Sequence, residues 1–441
     1  MSDMLLKKLR QKIKDKHAVL SVIGLGYVGL PVACIFAKVG FQVIGVDIDA
    51  ERVNRINQGL SPIEGYEPDL TNLLKTVTGN KKLQATTDYQ KLAKAHVILI
   101  SVETPVNENN QPQYVALKSA CQGLGKVMAK GTLVIIESTI APGTVDNVVL
   151  PILEKMSGMQ AHKDFFVGAC PERVMPGKLL ANLRNMSRVC GGGTLETAET
   201  MVRLYRHIVE ADLDTADIIT AELVKTTENT YRDVQIAFAN EVAMICEANG
   251  ANVWRVRELV NKSPSRNMHL PGTGVGGHCI PKDPWLLAYS VRDKVPLRLI
   301  PSARAVNDHM PIHVGDLINQ ALNKHGKNIA NAKVLLLGYA YLENSDDTRN
   351  SPTKTLVSYL QKLGTEVIIH DPYLVEYQGD VVEKVSGCDA VVLMVKHDVY
   401  GNLDFDMLKK QLRSPILIDG RGFFEPHEIK KHGLIYYGIG Y

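Results

Sequence analysis

The sequence predicts an α/β protein in which two parallel-sheet domains are joined by a long central helix. Three observations carry that expectation. An apolar run, Ala18 to Ile23, leads into a glycine-rich turn and a helical stretch. A second apolar run, Lys333 to Gly338, opens the same kind of pattern near the other end. Between them, Ala221 to Ala251 reads as helix, with no proline or glycine before Gly250.

The elements follow in order. After the first run, helix extends to about Lys38, and a second strand, Gln42 to Val46, ends in Asp47. Val97 to Ile100 and Leu133 to Ile136 are continuously apolar, as strands buried on both faces of a parallel sheet are. In the second half, a helix from Thr353 to Lys362 follows the Gly338 strand. Glu366 to Ile369 is then a strand ending at Asp371, and Ala390 to Val395 and Pro415 to Asp419 complete the set. The central helix would be about 45 Å long, enough to join two domains and offer a dimer surface. The expected division is 1–205, a Rossmann-like domain; 206–315, a helical middle; and 316–441, a second Rossmann-like domain.

Composition narrows the class. At 441 residues the chain has room for two or three sizeable cores. With 45% hydrophobic and 22% charged residues and a net charge of +3, nothing points to a nucleic-acid partner. The basic cluster from Lys7 to Lys16 reads as a solvated helix face. No run reaches membrane-spanning length, and charges interrupt any signal-like stretch before Ala18. Seven cysteines without a CxxC pair argue against a disulfide framework and a zinc site. A cytoplasmic, metal-free protein is expected.

Gly24, Gly26 and Gly29 form GxGxxG directly after a strand and at the start of a helix. The first glycine allows the tight turn, the second lets a pyrophosphate approach the backbone, and the third permits close helix–strand packing. Asp47, at the end of the second strand, is placed to accept from ribose hydroxyls. A carboxylate there repels a 2′-phosphate and favours NAD over NADP, with Arg52 nearby pulling the other way. Gly338 stands without such a fingerprint, so the second half is expected to hold another ligand. Arg349 and Arg421 lie beyond strand ends there, where a guanidinium can grip a diphosphate.

The loop Pro271-Gly272-Thr273-Gly274-Val275-Gly276-Gly277-His278-Cys279 presses glycines against one thiol, with Asp283 four residues on. Such a loop leaves a thiol open to approach, and a small buried cysteine behind a glycine turn is the alternative reading. Lys225 and Asn229, spaced i, i+4, share one helix face.

Together these segments resemble the UDP-glucose/GDP-mannose dehydrogenase family from end to end. The resemblance runs through Val22 to Gly29 with Asp47, Thr104-Pro105, Glu137-Ser138-Thr139, Cys170-Pro171-Glu172-Arg173, Glu222 to Asn229, the Cys279 loop, Asp347-Thr348-Arg349 and Asp419-Gly420-Arg421. It implies NAD as cofactor, a UDP-sugar as substrate, a homodimer formed through the central helix, and oxidation of an alcohol to a carboxylate in two steps. NAD contacts are implied for Gly24, Gly26, Tyr27, Val28 and Gly29, and for Asp47, Arg52, Thr104 and Thr139. Cys279 is implied as nucleophile, Asp283 and Glu172 as acid/base groups, and Lys225 and Asn229 as stabilisers of developing oxyanions. Substrate contacts are implied for Glu172, Arg173, Lys225 and Asn229, for Arg266, Gly276 and His278, and for Arg349 and Arg421.

His278 adjoins Cys279, but neighbours on an extended segment face opposite ways, which argues against direct activation. The Gly-Gly-His-Cys form is similar to the branch acting on N-acetylated sugars. The expected substrate is a UDP-N-acetylhexosamine, UDP-N-acetyl-D-mannosamine first among them. UDP-N-acetylglucosamine, UDP-N-acetylgalactosamine and UDP-glucose are alternatives, and a non-catalytic NAD-sensing interaction protein is the reading of a different class. One departure stands out: members commonly carry a lysine after the Gly338 strand, where Tyr341-Leu342-Glu343 has none.

Overall fold

The computed structural model describes residues 2–63, 67–173 and 179–441. The chain divides into two units, Met1–Glu228 with Trp285–Lys294 and Asn229–Pro284 with Val295–Tyr441.

The first unit is built on eight strands: β1 (Val19–Ile23), β2 (Gln42–Val46), β3 (Leu83–Thr86), β4 (Val97–Ile100), β5 (Leu133–Ile136), β6 (Phe166–Ala169), β7 (Arg188–Gly192) and β8 (Leu213–Asp217). Their spatial order is β3-β2-β1-β4-β5-β6-β7-β8. All pairs are parallel except β6–β7. The first six follow the doubly wound 3-2-1-4-5-6 order, whose switch point between β1 and β4 is where such sheets bind ligands. Alternate residues feed two cores. Leu20, Val22, Val43, Val97 and Leu99 pack with Leu30 and Phe36 of the Gly29–Lys38 helix. Ile23, Val46, Ile98 and Ile100 pack with Leu117 and Leu124 on the other face. The helix Ser2–Lys14 buries Leu6, Leu9 and Ile13 and leaves its lysines exposed, the basic face expected of it.

The second unit holds five parallel strands: β9 (Lys333–Leu337), β10 (Glu366–His370), β11 (Ala390–Leu393), β12 (Ile416–Asp419) and β13 (Ile435–Gly438). Their order is β10-β9-β11-β12-β13. Val334, Leu336, Val392 and Ile418 pack against Met310, Val314 and Ile318 of the Leu299–Lys324 helix. The central helix runs Ile218–Asn249, over 32 residues. No helix among the described residues is long and apolar enough to cross a membrane.

Both sheets turn out of their first strand in the same way. Gly24 (φ +91°) donates its N–H to Val46 O at 2.8 Å, and Gly338 (φ +96°) donates to His370 O at 2.8 Å. In each, a carboxylate at the end of the next strand receives the N–H groups of the turn. Asp47 accepts from Leu25 N at 2.8 Å; Asp371 accepts from Tyr339 N at 2.7 Å and Ala340 N at 2.9 Å. His397 Nε2 adds a contact to Asp371 at 3.2 Å.

Burial alone would raise the Asp371 carboxyl, but His397 and the backbone donors outweigh it and hold it below the usual value. A depressed carboxyl contributes stability above its unfolded value, about 3.9, and loses it as pH falls further. Asp371→Asn should therefore be less stable near neutrality, and its gap from wild type should narrow below about pH 4. Urea unfolding across a pH series reads this directly; a gap independent of pH would exclude the ionised carboxylate as the source.

Candidate functional site

In the first unit the glycine turn has the shape a dinucleotide needs. A methyl group on Gly24 would stand 2.5 Å from Ser101 O, and one on Gly29 only 1.9 Å from Gly24 O. These two glycines are consumed by packing. A methyl on Gly26 would meet nothing within 4 Å, so the backbone there is open to a ligand. Val28 caps the Gly29–Lys38 helix without a side-chain bond, and its N-terminus faces the turn with its dipole unanswered by a first-turn acid. Asp47 is buried at the end of β2, and Arg52 Nη1 sits 3.1–3.2 Å from both of its oxygens. Tyr27 Oη donates to Glu67 Oε1 at 2.8 Å. Past β4 and β5, Thr104 Oγ1 donates to Thr139 O at 2.6 Å and Ser138 Oγ to Val102 O at 2.6 Å, clamping two adjacent loops together.

Glu222, in the first turns of the central helix, accepts from Gly143 N (2.6 Å) and Val145 N (3.0 Å). It thereby ties the loop after β5 to the helix that carries Lys225. Lys225 is half-buried, with no hydrogen-bond or ion-pair partner among the described residues. Glu172 is buried, with Oε2 2.5 Å from Arg188 Nη1. Arg173 pairs with Glu228 and donates to Ser187 O at 2.7 Å.

In the second unit the cysteine loop is pinned along its length. Gly272 N donates to Asn240 Oδ1 at 2.8 Å, and Asn240 is fixed in turn by Asn307, Asp233 and Arg304, all nearly inaccessible. Thr273 Oγ1 donates to Met394 O (3.1 Å) and Gly277 N to Arg349 O (2.8 Å). The glycines are there because Tyr341 lies against them. A methyl at Gly276 would come 2.4 Å from Tyr341 Cβ, and one at Gly277, where φ is +86°, 2.7 Å from its ring. The segment that lacks the expected lysine thus buttresses the loop instead.

Cys279 is exposed, and the six other cysteines are buried. Its carbonyl accepts from Lys282 N and Asp283 N as the chain turns into the Asp283–Tyr289 helix. Asp283 is fully buried. Its Oδ2 accepts from Asn229 Nδ2 at 2.5 Å, Oδ1 lies 3.5 Å from Lys282 Nζ, and Oδ1 has no hydrogen-bond partner. Burial first, then the cations Lys282 and Arg349, lowers His278 to about 4. Its ring is therefore neutral at pH 7 and supplies no imidazolium to Cys279.

The other expected contacts are spread more widely. Arg349 is held by its own neighbour, Asp347 (Nε to Oδ1, 2.9 Å). The Arg421 guanidinium lies over Gly272, 2.5 Å from where a side chain would begin. Arg266 is exposed, its Nη1 3.4 Å from Pro264 O. Asn240 and Arg188 escaped the sequence reading, though each left a signal: a polar residue on the buried face of a helix, and a charge at the start of an apolar strand.

A turn open only at its middle glycine, beside a carboxylate on the following strand, defines a dinucleotide-binding domain of the kind that takes NAD. Comparison with known proteins supplies the substrate class. Three models of the UDP-glucose/GDP-mannose dehydrogenase family match in succession: the NAD binding domain at residues 18–209, the central domain at 219–309 and the UDP binding domain at 335–426. The chain belongs to this family and is a nucleotide-sugar dehydrogenase. It is 38% identical over 421 residues to the UDP-N-acetyl-D-mannosamine dehydrogenase of Pyrococcus horikoshii, covering 96% of this chain and 99% of that one. A solved structure of the UDP-D-ManNAc dehydrogenase from the same organism superposes with a TM-score of 0.90, at 38% identity and the same coverage. The NDP-N-acetyl-D-galactosaminuronic acid dehydrogenase of Methanosarcina mazei Go1 superposes at 0.87, with 35% identity and 99% and 97% of the two chains covered.

The two kinds of glycine should separate experimentally. Gly29→Ala should lose about 1–3 kcal/mol of stability, the range for overpacking. Gly26→Ala should melt like the wild type yet bind NAD roughly tenfold more weakly, about 1.4 kcal/mol. Thermal melts with and without NAD distinguish these outcomes.

Proposed function

We propose that the protein oxidises the hydroxymethyl carbon of a UDP-N-acetylhexosamine, UDP-N-acetyl-D-mannosamine foremost, to a carboxylate, with Cys279 as covalent nucleophile. The observation that carries this reading is Cys279 itself, the one exposed cysteine of seven, on a loop whose backbone is fixed on both sides. In this reading residues 1–205 hold NAD, 206–315 carry the dimer helix and the cysteine loop, and 316–441 hold the UDP moiety.

Gly24 to Gly29 and Asp47 would hold NAD, which would supply a hydride acceptor for each of the two oxidations. The chain's own residues do the rest. Lys225 and Asn229 stabilise the alkoxide as the alcohol loses its proton. The aldehyde carbon offers no second hydride until a nucleophile makes it tetrahedral. Cys279 Sγ does this, forming one C–S bond while the carbonyl π pair moves onto oxygen. Oxidation of that adduct leaves a thioester. Water then adds, the C–S bond breaks, and the thiolate returns. Asp283 is suited to take the water's proton, because Asn229 fixes Oδ2 while Oδ1 accepts no hydrogen bond among the described residues and has only the Lys282 ammonium 3.5 Å away. Glu172 is the second acid/base in hydrolysis. One alcohol, two NAD and one water give one carboxylate, two NADH and three protons.

The names of the relatives and the Gly277-His278-Cys279 sequence support the N-acetyl branch. A panel of UDP-N-acetylmannosamine, UDP-N-acetylglucosamine, UDP-N-acetylgalactosamine and UDP-glucose should give the highest kcat/KM for the first. Two NADH should appear per acid formed. Cys279→Ala should lose acid formation by at least about a thousandfold, as removal of a covalent nucleophile does. One NADH per substrate, or normal acid formation by this variant, excludes the thioester route.

The dimer is proposed through the central helix. Tyr231, Phe238 and Ile245 recur every seventh residue and are 63%, 58% and 56% exposed, an apolar stripe with no cover in the monomer. Phe238→Glu should convert the dimer to a folded monomer in light scattering. A wild-type mass of one chain would exclude this interface.

A further inference from the structure

A buried charge cluster in the first unit has no part in the mechanism above except through Glu172. Glu137 follows β5, Glu172 lies three residues past β6, Arg188 opens β7, Tyr205 ends the Leu195–Tyr205 helix, and Ser101 follows β4. Glu137 accepts from Ser101 Oγ on Oε2 (2.7 Å) and from Tyr205 Oη on Oε1 (2.7 Å). Arg188 Nη1 lies 2.5 Å from Glu172 Oε2 and 3.8 Å from Glu137 Oε1, with its guanidinium 4.9 Å over the Tyr205 ring. The backbones are joined as well, Glu172 N donating to Glu137 O at 3.2 Å. The side chains of Glu137, Glu172 and Arg188 are 0%, 4% and 1% exposed. Cys170 and Cys190, also fully buried, face the same cluster.

Two carboxylates here share one guanidinium. Both ionised, they would leave a net negative charge out of reach of water, at a cost of several kcal/mol. One proton removes that cost. Glu172 holds the closer guanidinium contact, so the proton belongs on Glu137. Burial, and next the charge of Glu172, pushes the Glu137 carboxyl up to about 7 against the pull of Arg188 and the two hydroxyls. Glu137 therefore gains and loses its proton near neutral pH.

We propose that Glu137 is a positioning residue for Glu172: protonated, it leaves Arg188 to Glu172 alone, and ionised, it competes for Arg188 and slows thioester hydrolysis by misdirecting the Glu172 carboxylate. This rests on the reading of Glu172 as an acid/base group in hydrolysis. No oxidant or co-reactant is involved; a single proton leaves Glu137 for solvent as pH rises.

The test is rapid-quench measurement of thioester hydrolysis across about pH 6 to 8. The wild type should slow with an inflection near 7. Glu137→Gln, which keeps the shape and cannot ionise, should hydrolyse at the wild type's low-pH rate with no inflection, and KM values should move less than about twofold. Ser101→Ala removes a donor that favours the ionised form, so its inflection should move to higher pH; it serves also if the Gln variant folds poorly. An inflection retained in Glu137→Gln, or unmoved in Ser101→Ala, overturns the proposal. Glu172→Gln separates the two readings. Full-rate hydrolysis by that variant removes the role of Glu172. Slow hydrolysis by it, with a wild-type profile in Glu137→Gln, removes only the role of Glu137.

Discussion

Each sheet depends on one carboxylate at the end of its second strand. A chain leaving a parallel strand for a helix exposes several N–H groups at a place where the backbone is packed too closely for water to serve them. Asp47 and Asp371 answer those donors, and the glycine before them supplies the positive φ that aims the turn. An unanswered buried N–H costs about 1–3 kcal/mol. The turn, the helix start and the ligand-binding edge of each sheet all follow from that single contact.

The two halves then diverge over who occupies the turn. In the first, Gly29 brings the helix against Gly24 O and Gly26 leaves the turn open. In the second, the protein fills it: Thr353 Oγ1 donates to Gly338 O (3.0 Å) and Ser351 Oγ to Tyr339 O (2.6 Å). The same backbone device is a dinucleotide cradle in one place and a sealed corner in the other. The long segment between Gly338 and Pro352 is released to do something else, and it does: Tyr341 and the Arg349 carbonyl hold the cysteine loop.

Much of this was legible in the sequence, for reasons specific to each element. Val97–Ile100 and Leu133–Ile136 could be read because a strand buried on both faces has to be apolar at every position. β8, Leu213–Asp217, was not, because this edge strand is half polar and exposed. The Leu299–Lys324 helix was hidden by Pro311, which is tolerated inside it and packs near Gly274. Gly24, Gly26, Gly29 and Asp47 were readable because their spacing is local. The support beneath the cysteine loop was not, since Asn240, Asn307, Asp233 and Arg304 meet only through the fold.

That support explains how a glycine-rich loop holds an exposed thiol at its end. A strand of glycines would ordinarily be loose, and a loose thiol reacts with whatever reaches it. Here the freedom that glycine brings is removed by contact rather than by side chains of its own. Asn240 fixes the entry, Tyr341 the middle, and the turn after Cys279 the exit. The thiol stands at the exposed end of that fixed backbone, and the buried Asp283 carboxylate is held beneath the turn by Asn229 and Lys282. Rigidity is therefore placed in the backbone, and the exposed side chain is presented on it at little further entropic cost, which is the division that the proposed covalent route requires.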